Sequence, residues 1–150
     1  MYIFLDVDGV LNKESDWNRP FTLNSSCVNN FILLLKDIKD AKIILSSSWR
    51  NGIARDGSVA KHVSELMEVL KEAGITTLDK TAISPDGKRN KEIDYYLRHH
   101  EKDTYLILDD DSSLFEEGKN TAGLYLTDCA LGLTESDCKK ILKTIRKTLH

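Results

Sequence analysis

The sequence predicts an α/β protein in which a parallel sheet of about five strands is covered by helices on both faces. Short apolar runs alternate with helical patterns along all 150 residues, and this alternation is typical of parallel sheets with right-handed crossovers. The runs at 43–45 and 106–108 are continuously apolar, as expected of strands that are buried on both faces. No repeat or linker-like stretch divides the chain, so we expect residues 1–150 to form a single three-layer α/β/α domain.

The spacing of apolar residues predicts the individual elements. Strands are expected at 2–5, 42–45, 75–78, 105–108 and 123–126. Helices are expected at 24–39, around 63–70, at about 88–99, and from Thr134 onward with an apolar stripe that reaches Leu149. Gly74 should end the second helix, and Thr134 with Asp137 resembles a capping box for the last one.

The composition excludes several functional classes. Three cysteines (Cys27, Cys129 and Cys138) are few, odd in number and without metal-ligand spacing, so we expect a reduced, cytoplasmic protein. No apolar run approaches the roughly 20 residues that span a bilayer, and we expect no membrane partner. The net charge of −3 predicts no general attraction to nucleic acid, although residues 139–150 carry several basic side chains and no acid.

Polar clusters lie where the predicted strands and one helix should meet at one edge of the sheet. Ligands of open parallel sheets bind beyond the carboxyl ends of the strands. The four clusters occupy residues 6–12, 46–50, 86–91 and 109–112. The sequence therefore predicts a single polar site at this edge.

The residue types in these clusters suit phosphoryl transfer. Asp6 and the aspartates at 109–111 bring carboxylates close enough to repel one another unless a cation or protons intervene, and oxygen ligands of this kind favour Mg²⁺. Serines and a lysine supply donors and positive charge for phosphoryl oxygens. Asp6 could attack phosphorus, and Asp8 could protonate the leaving oxygen and later activate water.

Four segments carry a family resemblance. Asp6-Val7-Asp8-Gly9-Val10-Leu11 resembles the first motif of the haloacid dehalogenase (HAD) superfamily, and the serine cluster, Lys88 and Asp109-Asp110 resemble its second, third and fourth motifs. With Asn12, Ser46-Ser47-Ser48-Trp49-Arg50 and residues 106–111 included, the pattern is similar to the HAD domains of Swiss Army Knife RNA repair proteins. The resemblance implies the HAD fold, with a Rossmann-like sheet, and a Mg²⁺-dependent phosphatase.

The resemblance also implies roles for individual aspartates. Asp6 would be the nucleophile and a Mg²⁺ ligand. Asp8 would be the general acid/base, with its backbone carbonyl on the metal. Asp110 would be a further metal ligand, and Asp109 would support it.

The second and third motifs leave alternatives open. Ser47 is expected to supply the second-motif hydroxyl, with Ser46 and Ser48 as alternatives. Lys88 is expected to supply the third-motif cation, with Arg89 and Lys91 as alternatives. The residues expected to contact substrate are Gly9, Ser48 and Arg50.

The segments in which HAD enzymes carry a cap domain are short. Residues 13–41 hold one loop and one helix, and residues 51–84 hold one helix and one strand. A capless site implies a large substrate or a lid from a partner protein or subunit, and the resemblance favours RNA or DNA end phosphates. The loop at 13–21 could form a small flap, and Trp17 or Trp49 could stack on a base or simply anchor a loop.

Two alternative functions stay open. One is a phosphatase of nucleotides or other small phosphometabolites, and the other is a catalytically silent HAD-like binding domain. A signalling receiver domain disagrees with the motif order, because such a domain places its phosphoacceptor after the third strand.

Overall fold

Strands and helices alternate along the chain, as the sequence predicts. The computed structural model describes residues 1–116 and 122–148. The strands are β1 (Tyr2–Leu5), β2 (Lys42–Leu45), β3 (Leu78–Lys80), β4 (Tyr105–Asp109) and β5 (Leu124–Leu126). The helices are α1 (Ser25–Lys36), α2 (Lys61–Leu70), α3 (Arg89–Arg98) and α4 (Glu135–Thr148).

The five strands form one parallel sheet in the order β3-β2-β1-β4-β5. Leu5 of the central strand lies beside Leu45 on one side and Leu108 on the other, so these strands end level with one another. The chain order reverses on the two sides of β1, and such a switch point is where open parallel sheets bind ligands.

Helices cover both faces of the sheet. Alternate residues of each strand point to opposite faces. Ile3 and Leu5 belong to the larger core, which is completed by α1, α2 and α4. Phe4 and Ile107 belong to the smaller core, which is completed by Ile93 and Tyr96 of α3. The predicted three-layer α/β/α architecture is thus confirmed.

The third strand begins later than the sequence predicted, and α1 ends at Lys36, short of the expected residue 39. Strand β3 pairs with β2 only from Leu78 onward, whereas the apolar run predicted a strand at 75–78. Helix α2 ends at Leu70, before the expected Gly74; a 3₁₀ turn at Lys71–Ala73 follows it, and Gly74 caps that turn in a left-handed conformation, with φ of +78°. The N–H of Ile75 then donates to the carbonyl of Leu70, so Ile75 packs on the core beneath the helix end and does not enter the sheet.

The expected helix cap is also present. Thr134 Oγ1 accepts from the N–H of Asp137 at 3.1 Å, and Asp137 Oδ2 accepts from the N–H of Thr134 at 2.8 Å. This reciprocal pair is the capping box that starts α4. The basic side chains at 139–147 lie exposed along α4, while Leu149 and His150 lie outside the described residues. Within 1–116 and 122–148, no helix is long and apolar enough to cross a membrane.

Candidate active site at the carboxyl edge of the sheet

Three carboxylates converge where β1 and β4 end. Oxygen atoms of Asp6, Asp109 and Asp110 all lie within 4.8 Å of one another. Asp6 and Asp109 are buried. Asp109 Oδ1 accepts hydrogen bonds from the N–H groups of Asp110 and Asp111, at 2.8 and 3.0 Å. These bonds fold residues 109–111 into a tight turn, and Asp110 of this turn belongs to the cluster.

The cluster is electrostatically strained. Burial raises the pKa of Asp6 well above its usual range, and the negative charge of Asp109 raises it further, while Arg89 acts in the opposite direction. Burial also raises the pKa of Asp109, again opposed by Arg89. One guanidinium against three carboxyl groups leaves excess negative charge, which a divalent cation can neutralise.

Gly9 makes room for the third carboxylate. A Cβ atom at this position would lie 2.2 Å from Asp110 Oδ2, and the backbone has a φ of +85°. Only glycine combines this close approach with a left-handed conformation at no steric cost. The donor set and the space that Gly9 leaves for it therefore fit Mg²⁺; contact between Gly9 and substrate stays a prediction.

Asp8 is held in place by two donors. Its Oδ1 accepts from Asn12 Nδ2 at 2.9 Å and from Trp49 Nε1 at 3.3 Å. Asn12 is itself fixed, because its Oδ1 accepts from the N–H of Gly9 and from Trp17 Nε1. Sequence reasoning assigned no such role to Asn12 or Trp49; the spacing of four residues between Asp8 and Asn12 was the available signal.

The structure brings Arg89 to the carboxylates, one residue beyond the expected Lys88. Arg89 Nη1 lies 3.0 Å from Asp6 Oδ1 and also pairs with Asp109. Lys88 Nζ instead donates to the carbonyl of Ser113 at 2.9 Å, and Lys91 pairs with Asp86 and Glu116. Arg89 and Lys91 are two residues apart on α3 and so point about 160° apart, and Lys88 lies before the first helical residue; of the three, Arg89 faces the cluster.

Comparison with protein families matches residues 2–138 to the HAD domain in Swiss Army Knife RNA repair proteins. The chain belongs to this family. No curated protein and no solved structure matches it significantly. HAD domains are generally hydrolases of the phosphatase type, and the family name places this one in the context of RNA repair.

The serines of this HAD domain differ in their surroundings. Ser47 Oγ accepts from the N–H of Trp49 at 3.0 Å and so caps a short 3₁₀ helix at Ser48–Gly52. Ser46 Oγ is buried and has no hydrogen-bond partner among the described residues. Ser48 is exposed. The second-motif hydroxyl assigned to Ser47 stays a prediction, with the unpartnered Ser46 as its strongest alternative.

Arg50 of the HAD domain is engaged in a buried ion pair. Its Nη1 lies 2.7 Å from Glu92 Oε2 and 2.9 Å from Thr81 Oγ1. This pair joins the 3₁₀ helix after β2 to α3. The charge of Arg50 is thus neutralised inside the protein. These bonds disfavour the expected contact between Arg50 and substrate, which stays a prediction.

No cap domain is present in the HAD domain between 13 and 41 or between 51 and 84, two segments that the structure describes in full. The expected flap loop contains a short 3₁₀ helix at Glu14–Asp16. Trp17 on this loop is 44% exposed, whereas Trp49 is only 1% exposed. Trp49 therefore anchors the site, as its bond to Asp8 shows.

Proposed function

We propose that this HAD domain is a Mg²⁺-dependent phosphomonoesterase that hydrolyses end phosphates of RNA or DNA through an aspartyl-phosphate on Asp6. The observation that carries the proposal is the convergence of Asp6, Asp109 and Asp110 beside a positioned Asp8. Phosphoryl transfer depends chiefly on positioning and charge neutralisation. This arrangement supplies both.

Three aspartates would hold the metal. Asp6 and Asp110 would bind Mg²⁺ through their carboxylates and Asp8 through its main-chain carbonyl, with Asp109 as the supporting neighbour. When bound, Mg²⁺ supplies positive charge that offsets the charge of the carboxylates and of the phosphoryl oxygens. Arg89 contributes a second positive charge from the side of α3.

Asp6 and Asp8 would divide the chemistry into two steps. In the first step, an Asp6 carboxylate oxygen forms a bond to phosphorus while the bond from phosphorus to the ester oxygen breaks, and Asp8 gives its proton to that oxygen. In the second step, Asp8 takes a proton from water as the water oxygen attacks phosphorus. Inorganic phosphate leaves and the Asp6 carboxylate is regenerated.

The two donors on Asp8 fit this role. Both hydrogen bonds go to Oδ1, so Oδ2 is the oxygen on which we place the transferred proton. Holding the carboxyl group by one oxygen orients the other, and such positioning is a large part of general acid–base catalysis. The Ser46 or Ser47 hydroxyl would donate to a phosphoryl oxygen.

The substrate class rests on the family context and on the open edge of the sheet. The matched family occurs in RNA repair proteins. The short segments at 13–41 and 51–84 leave the site accessible to a large substrate, or to a partner protein or subunit that closes it. A nucleic-acid end carrying a phosphate satisfies both features.

The test is phosphate release with and without Mg²⁺ from p-nitrophenyl phosphate, mononucleotides, and 5′- or 3′-phosphorylated oligonucleotides. We expect Asp6→Asn to abolish release, and Asp110→Asn to raise the Mg²⁺ concentration needed for half-maximal rate. Asp111→Asn is the matched control, because the side chain of this exposed aspartate caps the 3₁₀ helix at Ser112–Leu114 and is not among the three carboxylates that converge. It should retain the wild-type Mg²⁺ requirement.

Other outcomes separate the alternatives. Faster release from mononucleotides than from any oligonucleotide would point to a phosphatase of small metabolites. No release from any substrate, with a folded protein and Mg²⁺ present, would identify a catalytically silent binding domain.

A further inference from the structure

Three aromatic side chains, Phe21, His62 and Trp49, pack together beside Asp8; we call them the aromatic step. Phe21 stacks on His62, with ring centroids 3.8 Å apart and an angle of 14° between the rings. Trp49 meets both edge-on, at 5.6 Å from Phe21 and 5.1 Å from His62. Because Trp49 Nε1 donates a hydrogen bond to Asp8, the aromatic step contacts the proposed general acid directly, and only the Trp49 side chain separates Phe21 and His62 from Asp8.

His62 and Trp49 of the aromatic step are closely packed. A Cβ atom on Gly52 would lie 2.8 Å from His62 Nε2, so the imidazole rests directly against the main chain at that position. Trp49 is buried at 1% exposure. The two rings that support Phe21 are therefore well anchored.

Phe21 itself is exposed and conformationally unfavourable. The residue is 51% exposed, although residues with large apolar rings are usually buried. Its φ of +58° lies in the left-handed region, which is sterically unfavourable for any residue with a Cβ atom. A costly backbone conformation that presents an aromatic ring to solvent at the edge of a site points to a ligand contact.

We propose that Phe21 is the stacking surface for the nucleobase that adjoins the scissile phosphate. This inference rests on the proposed function and names how its substrate is recognised. The uncharged base would lie on the aromatic step, while the phosphate lies toward the carboxylate cluster and Arg89. Stacking tolerates any base, since every base has a π-face, and this suits an enzyme that acts on ends of many sequences.

Two RNA hexamers test the proposal, both phosphorylated at each end. One carries bases throughout, and the other has abasic riboses at its two terminal positions. Their dissociation constants are measured by fluorescence anisotropy in Mg²⁺ with the Asp8→Asn protein, in which protonation of the leaving group is blocked but Asp6 is intact. We expect tighter binding of the hexamer with terminal bases, and Phe21→Ala should reduce that preference by about 5- to 150-fold.

Two further variants make the result specific. Phe21→Tyr keeps an aromatic ring and should keep the preference. Tyr95→Ala is the matched control, because Tyr95 is 52% exposed and stacks on His99 with centroids 4.1 Å apart, on the later part of α3. It should also keep the preference.

The proposal is overturned if the Asp8→Asn protein with Phe21 unchanged shows no preference for the hexamer with terminal bases. It is also overturned if Phe21→Ala weakens the binding of both hexamers equally. Phosphate release by the protein with Asp8 intact is measured separately. Base-dependent binding through Phe21 without any release would support the stacking surface and contradict the proposed function, so the two failures are distinguishable.

Discussion

The position of the Asp8 side chain in this HAD domain depends on one nearby residue and on one that is distant in the chain. Trp49 donates a hydrogen bond to Asp8 from the segment after β2, and Asn12 donates one from the turn after β1 that also holds Asp8. Asn12 also donates to the carbonyl of Thr22 at 2.7 Å, which ties the turn to the loop that carries Phe21. Asn12 thus connects the proposed general acid to the loop that carries the proposed base-stacking residue.

Gly9 provides a residue-scale prediction. Gly9→Ala forces a Cβ atom against Asp110 Oδ2, so we expect a higher Mg²⁺ concentration for half-maximal activity. Gly57→Ala is the matched control, because Gly57 has the same φ of +85° and nothing within 4 Å of the added atom. Gly57→Ala should lose roughly 1–2 kcal/mol of unfolding free energy from the left-handed backbone, and Gly9→Ala should lose more, because its added atom must also displace the Asp110 side chain.

Denaturant unfolding and a Mg²⁺ titration separate the two effects. The Mg²⁺ requirement should rise only in Gly9→Ala. An unchanged requirement in that variant would show that Asp110 does not act in metal binding.

At the scale of elements, the buried pair of Arg50 and Glu92 links the 3₁₀ helix at Ser48–Gly52 to α3. The Glu92 side chain is 1% exposed, and its Oε1 also accepts from the N–H of Ser84 at 3.0 Å. Because α3 carries Arg89 at its start, this pair helps to position the cation of the site.

Glu92→Gln tests this link. Removing one charge leaves the Arg50 guanidinium buried without its partner, which typically costs about 3–5 kcal/mol of unfolding free energy. Glu68→Gln is the control, since Glu68 pairs with Lys71 at the surface and its side chain is 74% exposed; it should cost less than about 1 kcal/mol. Equal small losses in chemical denaturation would contradict a structural role for the buried pair.

At the scale of the whole molecule, the packing of α4 on α1 makes the free energy of unfolding depend on pH in the alkaline range. Cys138 lies in this contact, and burial raises the pKa of its thiol from 9.0 to about 11. Between these values the unfolded chain loses the Cys138 proton while the native protein keeps it. The free energy of unfolding should therefore fall as pH rises from about 9 to about 11.

Cys138→Ala removes this titration. We expect its unfolding free energy to be lower than that of the wild type at pH 8 but to fall less steeply between pH 9 and 11. Ser136→Ala, at an exposed position on the same helix, should follow the wild-type slope. Parallel curves for Cys138→Ala and the wild type in denaturant titrations would rule out the thiol as a source of the pH dependence.

Much of the fold was predictable because it depends on local pattern. Continuous apolar runs predicted β1, β2 and β4 within a residue of their observed bounds, and Thr134 marked the start of α4. Gly74 ends the 3₁₀ turn that follows α2, and not α2 itself. The prediction at 75–78 was wrong because an apolar residue can cover the end of a helix as well as enter a sheet. Sequence spacing does not distinguish these two environments.

The sequence by itself determined the family, the order of the elements and the convergence of Asp6 with Asp109 and Asp110. Parallel strands of matched register end at one edge, so residues that follow buried runs meet there. Only the tertiary structure decided that Arg89 and not Lys88 faces Asp6, that Arg50 pairs with Glu92, and that Phe21 presents its ring beside Trp49. Those outcomes depend on the direction of each side chain and on contacts between distant segments, which the order of residues along the chain does not specify.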